Sequence, residues 1–346
     1  MTPIKTAIVG FGISGQCFQA PIINFCKELE LVAVVSSNAQ RVHTQLTDVK
    51  VYSEINEMLA DESIELVIIS TPNNLHVPHA KLALSAGKHV VIEKPFCVSV
   101  QEGKELIALA KQSDQRVSVY QSRRYDGDFK TIQALIEQGK LAGIHTFYSS
   151  YNRFRPEVKD RWREQALPGS GILYDLGAHL IDQALCLFGK PESVTAVLRN
   201  QRPGSQAVDH FHLILNYPTH EAILHGNCLS TTEGPRFQIF AKDTSLIKFG
   251  MDTQEDFLRN KQGPETYGWG KDRPEYFATL TGHQGQVSTI ETEIGGYEAF
   301  YQQLAKSIRT GDALPVSLEQ ALDVIRIIEA AYSSSQQQRT IKLTEV

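Results

Sequence analysis

The 346-residue sequence holds only five cysteines, Cys17, Cys26, Cys97, Cys186 and Cys228. They are scattered, odd in number and never spaced C-x-x-C. That argues against a disulfide framework or a thiolate zinc site and suits buried free thiols in a reducing compartment. No Lys/Arg-rich run occurs, and the formal net charge is −5. Neither a nucleic-acid surface nor a polybasic membrane patch therefore has an electrostatic basis. No apolar run reaches the length that spans a bilayer. The apolar stretch 6–15 is broken by glycines and lacks a small-residue cleavage site, so no secretory signal is expected. These absences together predict a cytoplasmic protein.

What is present is ordinary for a globular chain: 42% hydrophobic and 21% charged residues. The length suggests two domains, and a chain of this size can bury a substantial core. The first 122 residues alternate short Val/Ile-rich runs with helix-like stretches. Strands are predicted at 5–10, 30–36, 66–70, 90–93 and 116–121, and helices near 14–29, 39–46, 77–86 and 100–111. The strands lack clean alternation, as strands buried on both faces do. Pro78 suits a first helical turn and Gly87 a helix end. This order predicts βαβ units around a parallel sheet.

The pattern changes after about residue 121. A helix is predicted at 129–137, a strand at 144–151, and a glycine-bearing segment with a helix at 169–188. Then strand follows strand, at 193–199, 210–217, 221–229, 236–241 and 246–249. In 210–217 polar and apolar residues alternate, which predicts an antiparallel sheet with one more polar face. The stretch 251–290 is polar and rich in Gly, Pro and Tyr and reads as ordered loop. Helices at 297–309 and 318–333 close the chain. The expected division is 1–122 for the first domain and 123–346 for the second; the motifs and the resemblance given below make the first dinucleotide-binding and the second substrate-binding and oligomerising.

The clearest motif is Gly10-Phe11-Gly12-Ile13-Ser14-Gly15, between the first strand and the first helix. In that context the first glycine permits a tight turn, the second lets the backbone approach a pyrophosphate, and the third lets helix and strand pack closely. The helix N-terminus offers N–H groups and a positive dipole end to phosphates. Gly10, Gly12, Ile13, Ser14 and Gly15 are thus expected to bind NAD(P). The acidic residue that would grip the ribose hydroxyls of NAD is missing. Ser36 and Ser37 end the second strand and Arg41 follows, a set that accommodates a 2′-phosphate. NADP(H) is expected to be preferred, with NAD(H) possible.

A second group of residues suits proton chemistry. Asp175 and His179 stand four apart on a predicted helix and share a face, which Asp182 extends. A histidine titrates near neutrality and can take a hydroxyl proton, and a neighbouring carboxylate can hold the imidazole. Lys94 ends a parallel strand, where ligands of such sheets bind. The Asp/His face also resembles part of a metal site, but further ligands are not evident and no metal is expected. His210, His212 and His225 fall on strands and read first as packing or sheet-surface residues.

Three further motifs extend the picture: Ser70-Thr71-Pro72-Asn73-Asn74-Leu75-His76, then Glu93-Lys94-Pro95, then Gly171-Ile172-Leu173-Tyr174-Asp175-Leu176-Gly177-Ala178-His179. With the glycine loop, their order and spacing resemble the Gfo/Idh/MocA oxidoreductase family over nearly the whole chain, closest to its NADP-dependent polyol dehydrogenases. The resemblance implies an α/β Rossmann domain followed by an α+β domain with an open, mostly antiparallel sheet. It implies a cleft between the domains, and self-association through that sheet as a homodimer or homotetramer. It assigns Lys94, Asp175 and His179 to catalysis. It places Thr71, Pro72, Asn73, His76, Glu93, Gln121 and Arg163 toward the cofactor, and Arg123, Tyr151 and Arg153 toward the substrate. It also suggests a cis Lys94–Pro95 peptide.

The expected function is hydride transfer between the nicotinamide and a secondary hydroxyl or ketone of a cyclic polyol or sugar. Two alternatives stand beside it: a biliverdin- or imine-type reductase, and a non-catalytic NADP-binding redox sensor. The Lys94 and His179 pair favours alcohol chemistry over both. Whether His179 or Lys94 is the main acid–base stays open at this point.

Overall fold

The structure, a computed structural model, describes residues 2–346. In chain order the strands of the first half are β1 (Ile4–Val9), β2 (Leu29–Val35), β3 (Lys50–Tyr52), β4 (Leu66–Ile69), β5 (His89–Glu93) and β6 (Val117–Tyr120). Between them lie α1 (Ala20–Phe25), α2 (Ala39–His43), α3 (Ile55–Leu59), α4 (His76–Ser85) and α5 (Val100–Ala110). Then follow α6 (Gly127–Glu137), β7 (Thr146–Asn152) and α7 (Ala178–Phe188). The strands β8 (Ser193–Arg199), β9 (His210–Asn216), β10 (Glu221–Asn227), β11 (Phe237–Phe240) and β12 (Thr244–Lys248) come next. The remaining elements are α8 (Gln254–Arg259), β13 (Ala278–Gly282), β14 (Val287–Ile290), α9 (Glu298–Thr310), α10 (Leu318–Gln337) and β15 (Ile341–Lys342).

The chain sorts into two compact units. They are not two continuous stretches divided at residues 122 and 123. The first joins Met1–Tyr125 with Thr253–Trp269 and Gly296–Leu322, and the second joins Asp126–Asp252 with Gly270–Gly295 and Asp323–Val346.

The first unit carries a six-stranded sheet in the order β3-β2-β1-β4-β5-β6, and the pairs are parallel. This is the doubly wound order that reverses beside β1 and places ligands at the carboxyl ends of the strands. Its central strand β4 is buried along its length, as the unbroken Leu-Val-Ile-Ile run requires. Helix α5 starts at a capped end, where the Ser99 side chain accepts from the Glu102 amide and the Glu102 carboxylate accepts from Val98 N–H. Tyr120 at the end of β6 packs edge-on against Phe300 of α9, at 4.9 Å between ring centres. That contact ties a late helix to the early sheet.

The second unit carries a nine-stranded sheet in the order β14-β13-β12-β11-β7-β10-β9-β8-β15. Only β7 and β10 run parallel; the other pairs are antiparallel. One face presents Phe147, Phe211, Leu213, Leu215, Leu224, Phe237 and Ile239, all fully buried. Phe188 of α7 meets Phe147 of that face edge-on at 5.3 Å. The opposite face carries half-buried residues, among them His210, His212, Ile214 and Asn216 of β9.

The expected loop over 251–290 is a correction. It contains α8 and the β13–β14 hairpin, which lies at the sheet edge. The hairpin strands, Ala-Thr-Leu-Thr-Gly and Val-Ser-Thr-Ile, bury little and so lack an apolar period to read. The short edge strand β3 escapes sequence reading for the same reason, having three residues.

Candidate functional site

In the first unit the glycine loop leaves β1 and enters a π-helical turn, Ser14–Gln19, that runs straight into α1. Two of its glycines answer to the protein's own packing. Gly10 has φ +91°, and an added Cβ would lie 2.9 Å from the Ser70 carbonyl oxygen. A Cβ on Gly15 would lie 2.5 Å from the Gly10 oxygen. Gly12 differs, because an added Cβ there would meet nothing within 4 Å. Nothing in the chain demands glycine at position 12, so the bare backbone leaves room for a ligand. Beside it Ile13 is 61% exposed, an apolar side chain with no cover from the chain.

A cavity of about 370 Å³ opens over this loop, lined by Gly10, Gly12, Ser36, Ser37, Arg41 and Thr71. Sequence reasoning named all six. It missed Ser53, Glu54, Ile55 and His79, which line the same cavity. Ser53, Glu54 and Ile55 follow the unread strand β3. His79 sits on α4, with Nδ1 3.3 Å from the Thr71 hydroxyl, and burial holds its pKa below the ordinary value. Asn38 caps α2 by accepting from the Arg41 amide at 2.9 Å, which sets the root of the Arg41 side chain. The Ser36 hydroxyl accepts from the Asn38 amide at 3.2 Å.

At the end of β5, Glu93 is held by its neighbours. Its carboxylate accepts from Ser14 Oγ, from Gln19 Nε2 at 2.6 Å and from the Lys94 amide at 3.1 Å. Tyr301 of α9 hydrogen-bonds Gln19 from the other side. The Ser14 hydroxyl is therefore engaged with Glu93. Lys94 itself is half-buried, and the Lys94–Pro95 peptide is cis.

Two expected contacts need correction. His76 is 1% exposed, and its ring nitrogens lie 2.8 Å from the Pro95 carbonyl and 2.9 Å from the Thr71 carbonyl. It brackets two loops and has no ring nitrogen to offer a cofactor. Arg123 is 3% exposed and ion-paired to Glu255 at 2.6 Å, so it anchors α8 rather than facing a substrate. Of the remaining expectations here, Asn73 is buried and Pro72 exposed. Gln121 is 2% exposed, and its Oε1 has no hydrogen-bond partner among the described residues.

In the second unit the Asp175 motif also lies on a π-helical turn, Leu173–Gly177, which continues as α7. Such wide turns recur at functional sites. Gly177 lets the Leu173 side chain lie close to this turn: a Cβ there would meet Leu173 Cδ1 at 2.7 Å. His179 follows on α7 and is 6% exposed. Asp182, one turn on, is buried. Arg153, just past β7, comes within 3.9 Å of one Asp175 oxygen, and Arg163 within 3.9 Å of the other. Tyr151 is half-buried near the end of β7. Arg163 stacks over Trp162 at 4.5 Å.

Residues 4–121 match the profile of an oxidoreductase family with an NAD-binding Rossmann fold, and residues 133–343 match the C-terminal alpha/beta domain of the same family. The chain belongs to the Gfo/Idh/MocA oxidoreductase family.

This Gfo/Idh/MocA oxidoreductase is 45% identical to scyllo-inositol 2-dehydrogenase (NADP(+)) of Bacillus subtilis, over 98% of this chain and 96% of that one. It is 40% identical to the uncharacterized oxidoreductase YdgJ of Escherichia coli, over 98% and 99% of the two chains. Among solved structures, the oxidoreductase YvaA of Bacillus subtilis superposes with a TM-score of 0.95 at 44% identity, covering 98% of both chains. An oxidoreductase from Klebsiella pneumoniae superposes with a TM-score of 0.92 at 36% identity, over 99% of this chain and 95% of that one. As in the family, a Rossmann domain precedes an alpha/beta domain with a mostly antiparallel sheet. Among the described residues no helix is long and apolar enough to cross a membrane.

Proposed function

We propose that this oxidoreductase interconverts a secondary hydroxyl and a ketone on a cyclic polyol or sugar, and that it prefers NADP(H) to NAD(H). The observation that carries this reading is the nearly buried His179 placed one turn after Asp175 on a single helix. The similarity to a scyllo-inositol dehydrogenase supports the substrate class.

Bound NADP⁺ supplies the acceptor for the hydride that leaves the carbinol carbon. The protein handles the remaining proton. His179 takes it from the hydroxyl at the imidazole, and Asp175 stabilises the imidazolium and contacts the substrate. Lys94 donates a hydrogen bond to the substrate oxygen and lowers the energy of its developing negative charge. Gly10, Gly12, Ile13 and Gly15 hold the pyrophosphate. Ser37 and Arg41 would hold the 2′-phosphate, and Gln121, whose Oε1 is buried without a partner among the described residues, would lie on the cofactor side of the sheet.

The preference for NADP(H) rests on what lines the cavity. Arg41, Ser36 and Ser37 share it with the glycine loop, and no carboxylate ends β2. We further propose that the second unit binds substrate and self-associates as a homodimer or homotetramer through the half-buried face of its sheet. A panel of inositols, aldoses and their keto forms, followed by NADPH absorbance, tests the activity. Turnover of a cyclic polyol or sugar is expected; turnover of none of them would overturn the reading.

A further inference from the structure

Glu93 ends β5 with both carboxylate oxygens engaged. One accepts from the Ser14 hydroxyl and from Gln19 Nε2 at 2.6 Å, and the other accepts from the Lys94 amide at 3.1 Å. The carboxylate thus ties the backbone of Lys94 to the glycine loop and to the turn that follows it. Gln19 closes that turn and is fully buried. Its Oε1 accepts from the hydroxyl of Tyr301, which is fully buried too. Tyr301 lies on α9, 282 residues from Gln19 in the chain. Its ring stacks on Tyr120 of β6 at 5.6 Å and meets Phe300 edge-on at 5.2 Å. Packing therefore fixes the ring, and the ring fixes the hydroxyl.

This chain of donors has a direction. The two ends of a carboxamide are alike in shape and opposite in hydrogen bonding. With its oxygen toward Glu93, Gln19 would set an acceptor against a carboxylate; with its nitrogen there, it donates. Tyr301 decides between the two. Burial, then the neighbouring Tyr120 and Glu93, raises its pKa well above the ordinary value, so the hydroxyl keeps its proton. It donates that proton to Gln19 Oε1 and leaves Nε2 facing Glu93. In a dry interior such linked hydrogen bonds strengthen one another.

We propose that Gln19 and Tyr301 are positioning residues for Lys94. They hold the Glu93 carboxylate, and through it the Lys94 amide, in register with the glycine loop. This rests on the reading that Lys94 acts on the substrate oxygen, and it adds what aims that lysine. Fully buried, neither residue has surface to offer a ligand; each acts through Glu93. Aim matters because a displacement of about 1 Å in a reacting group can cost about a hundredfold in rate.

The test uses the full chain with NADP⁺ and the member of the inositol and aldose panel that turns over best. Tyr301→Phe removes one oxygen at the far end of the relay. It should lower kcat about tenfold and leave NADPH affinity, read by fluorescence, within about threefold. Gln19→Met keeps the length of the side chain, removes the donor, and should lower kcat at least as much. The double variant should be no slower than Gln19→Met alone, because Tyr301 acts through Gln19. In a Lys94→Ala background, Tyr301→Phe should change kcat/KM by less than about twofold, because the group it aims is gone. A hydroxyl with a merely structural role would cost the same factor in every background. Melting temperatures establish that each variant is folded, and should Gln19→Met not fold, Tyr301→Phe with and without Lys94 still decides.

An unchanged kcat in Tyr301→Phe, or a loss that multiplies in full with that of Lys94→Ala, would overturn the inference and leave the reading of Lys94 standing. Normal kcat/KM in Lys94→Ala would overturn that reading and the inference with it. If Tyr301→Phe weakens NADPH binding about tenfold and leaves kcat unchanged, the relay serves the cofactor loop and the inference fails.

Discussion

At the scale of single residues, burial sorts the candidates by what their polar atoms have left to give. His76 has both ring nitrogens close against carbonyls, one of which its N–H can bond, and Arg123 spends its charge on Glu255. His179 stands beside Asp175 in a chain whose chemistry needs a base. His179→Ala should therefore lower kcat by about 10²–10⁴ with little change in NADPH affinity, because a base acts in the transition state. Lys94→Ala should lower kcat and raise KM together. Steady-state kinetics and NADPH titration check both, and near-normal turnover in His179→Ala would remove it from the mechanism. The proposed cofactor choice rests on Arg41, which lines the cavity over the glycine loop. Arg41→Ala should weaken NADP binding about ten- to a hundredfold and leave NAD almost unchanged, the value of one charge-assisted contact. An equal loss for both cofactors would show that Arg41 does not read the 2′-phosphate.

Among the elements, the glycine loop separates two needs that its motif merges. Gly15 is required by the fold, since a Cβ would press on the Gly10 carbonyl at 2.5 Å, whereas Gly12 faces open space. Gly15→Ala should lower thermal stability, by about 1–3 kcal/mol as overpacking does. Gly12→Ala should leave the melting temperature within a degree or two and weaken NADPH binding at least about tenfold, because the added methyl enters the space a pyrophosphate needs. Calorimetry with fluorescence titration distinguishes them. A Gly12→Ala protein that binds NADPH normally would mean that the cavity holds something else.

For the molecule as a whole, pH acts through groups that the fold keeps in one protonation state. Burial would raise the Glu164 carboxyl, but hydrogen bonds from Arg161 and Arg202 outweigh it and hold its pKa below the usual range. Burial would likewise raise Asp209, but backbone and Arg202 hydrogen bonds hold it down. Folded values below unfolded ones mean stability that is present above about pH 4 and lost as pH falls through the folded pKa. Burial, then His210 and His212, pushes His225 down to about 4. Its contribution is full above about pH 6.5 and declines as pH falls toward 4. Stability should thus fall in two stages on acidification, the first blunted by His225→Gln. Glu164→Ala, which leaves Arg202 with Asp209 as its carboxylate partner, should destabilise by about 1.5–3 kcal/mol at neutral pH, the value of one charged hydrogen bond. Urea midpoints measured against pH check this; a flat profile between pH 6.5 and 4 would contradict the histidine part. Self-association belongs to this scale too. Light scattering at micromolar concentration should give a dimer or tetramer, and a monomer would refute the assembly through the sheet.

The sequence by itself determined the kind of fold and much of the site. Runs such as Leu66-Val67-Ile68-Ile69 can only be buried on both faces. The glycine loop and the Asp175-x-x-x-His179 spacing mark their places because a turn and a helix face are set within a few residues. Tertiary structure alone decided the rest. Segments Thr253–Trp269 and Gly296–Leu322 group with the first unit, across more than a hundred residues of intervening chain, through contacts such as Arg123 with Glu255. No local pattern encodes that pairing, since it depends on which distant surfaces exclude water together. The approach of Arg153 and Arg163 to Asp175 is of the same kind. The loop that carries them has no helical or strand period to aim its side chains. The backbone of that loop is held by Arg202, more than thirty residues further on, through hydrogen bonds to the Arg155 and Glu157 carbonyls.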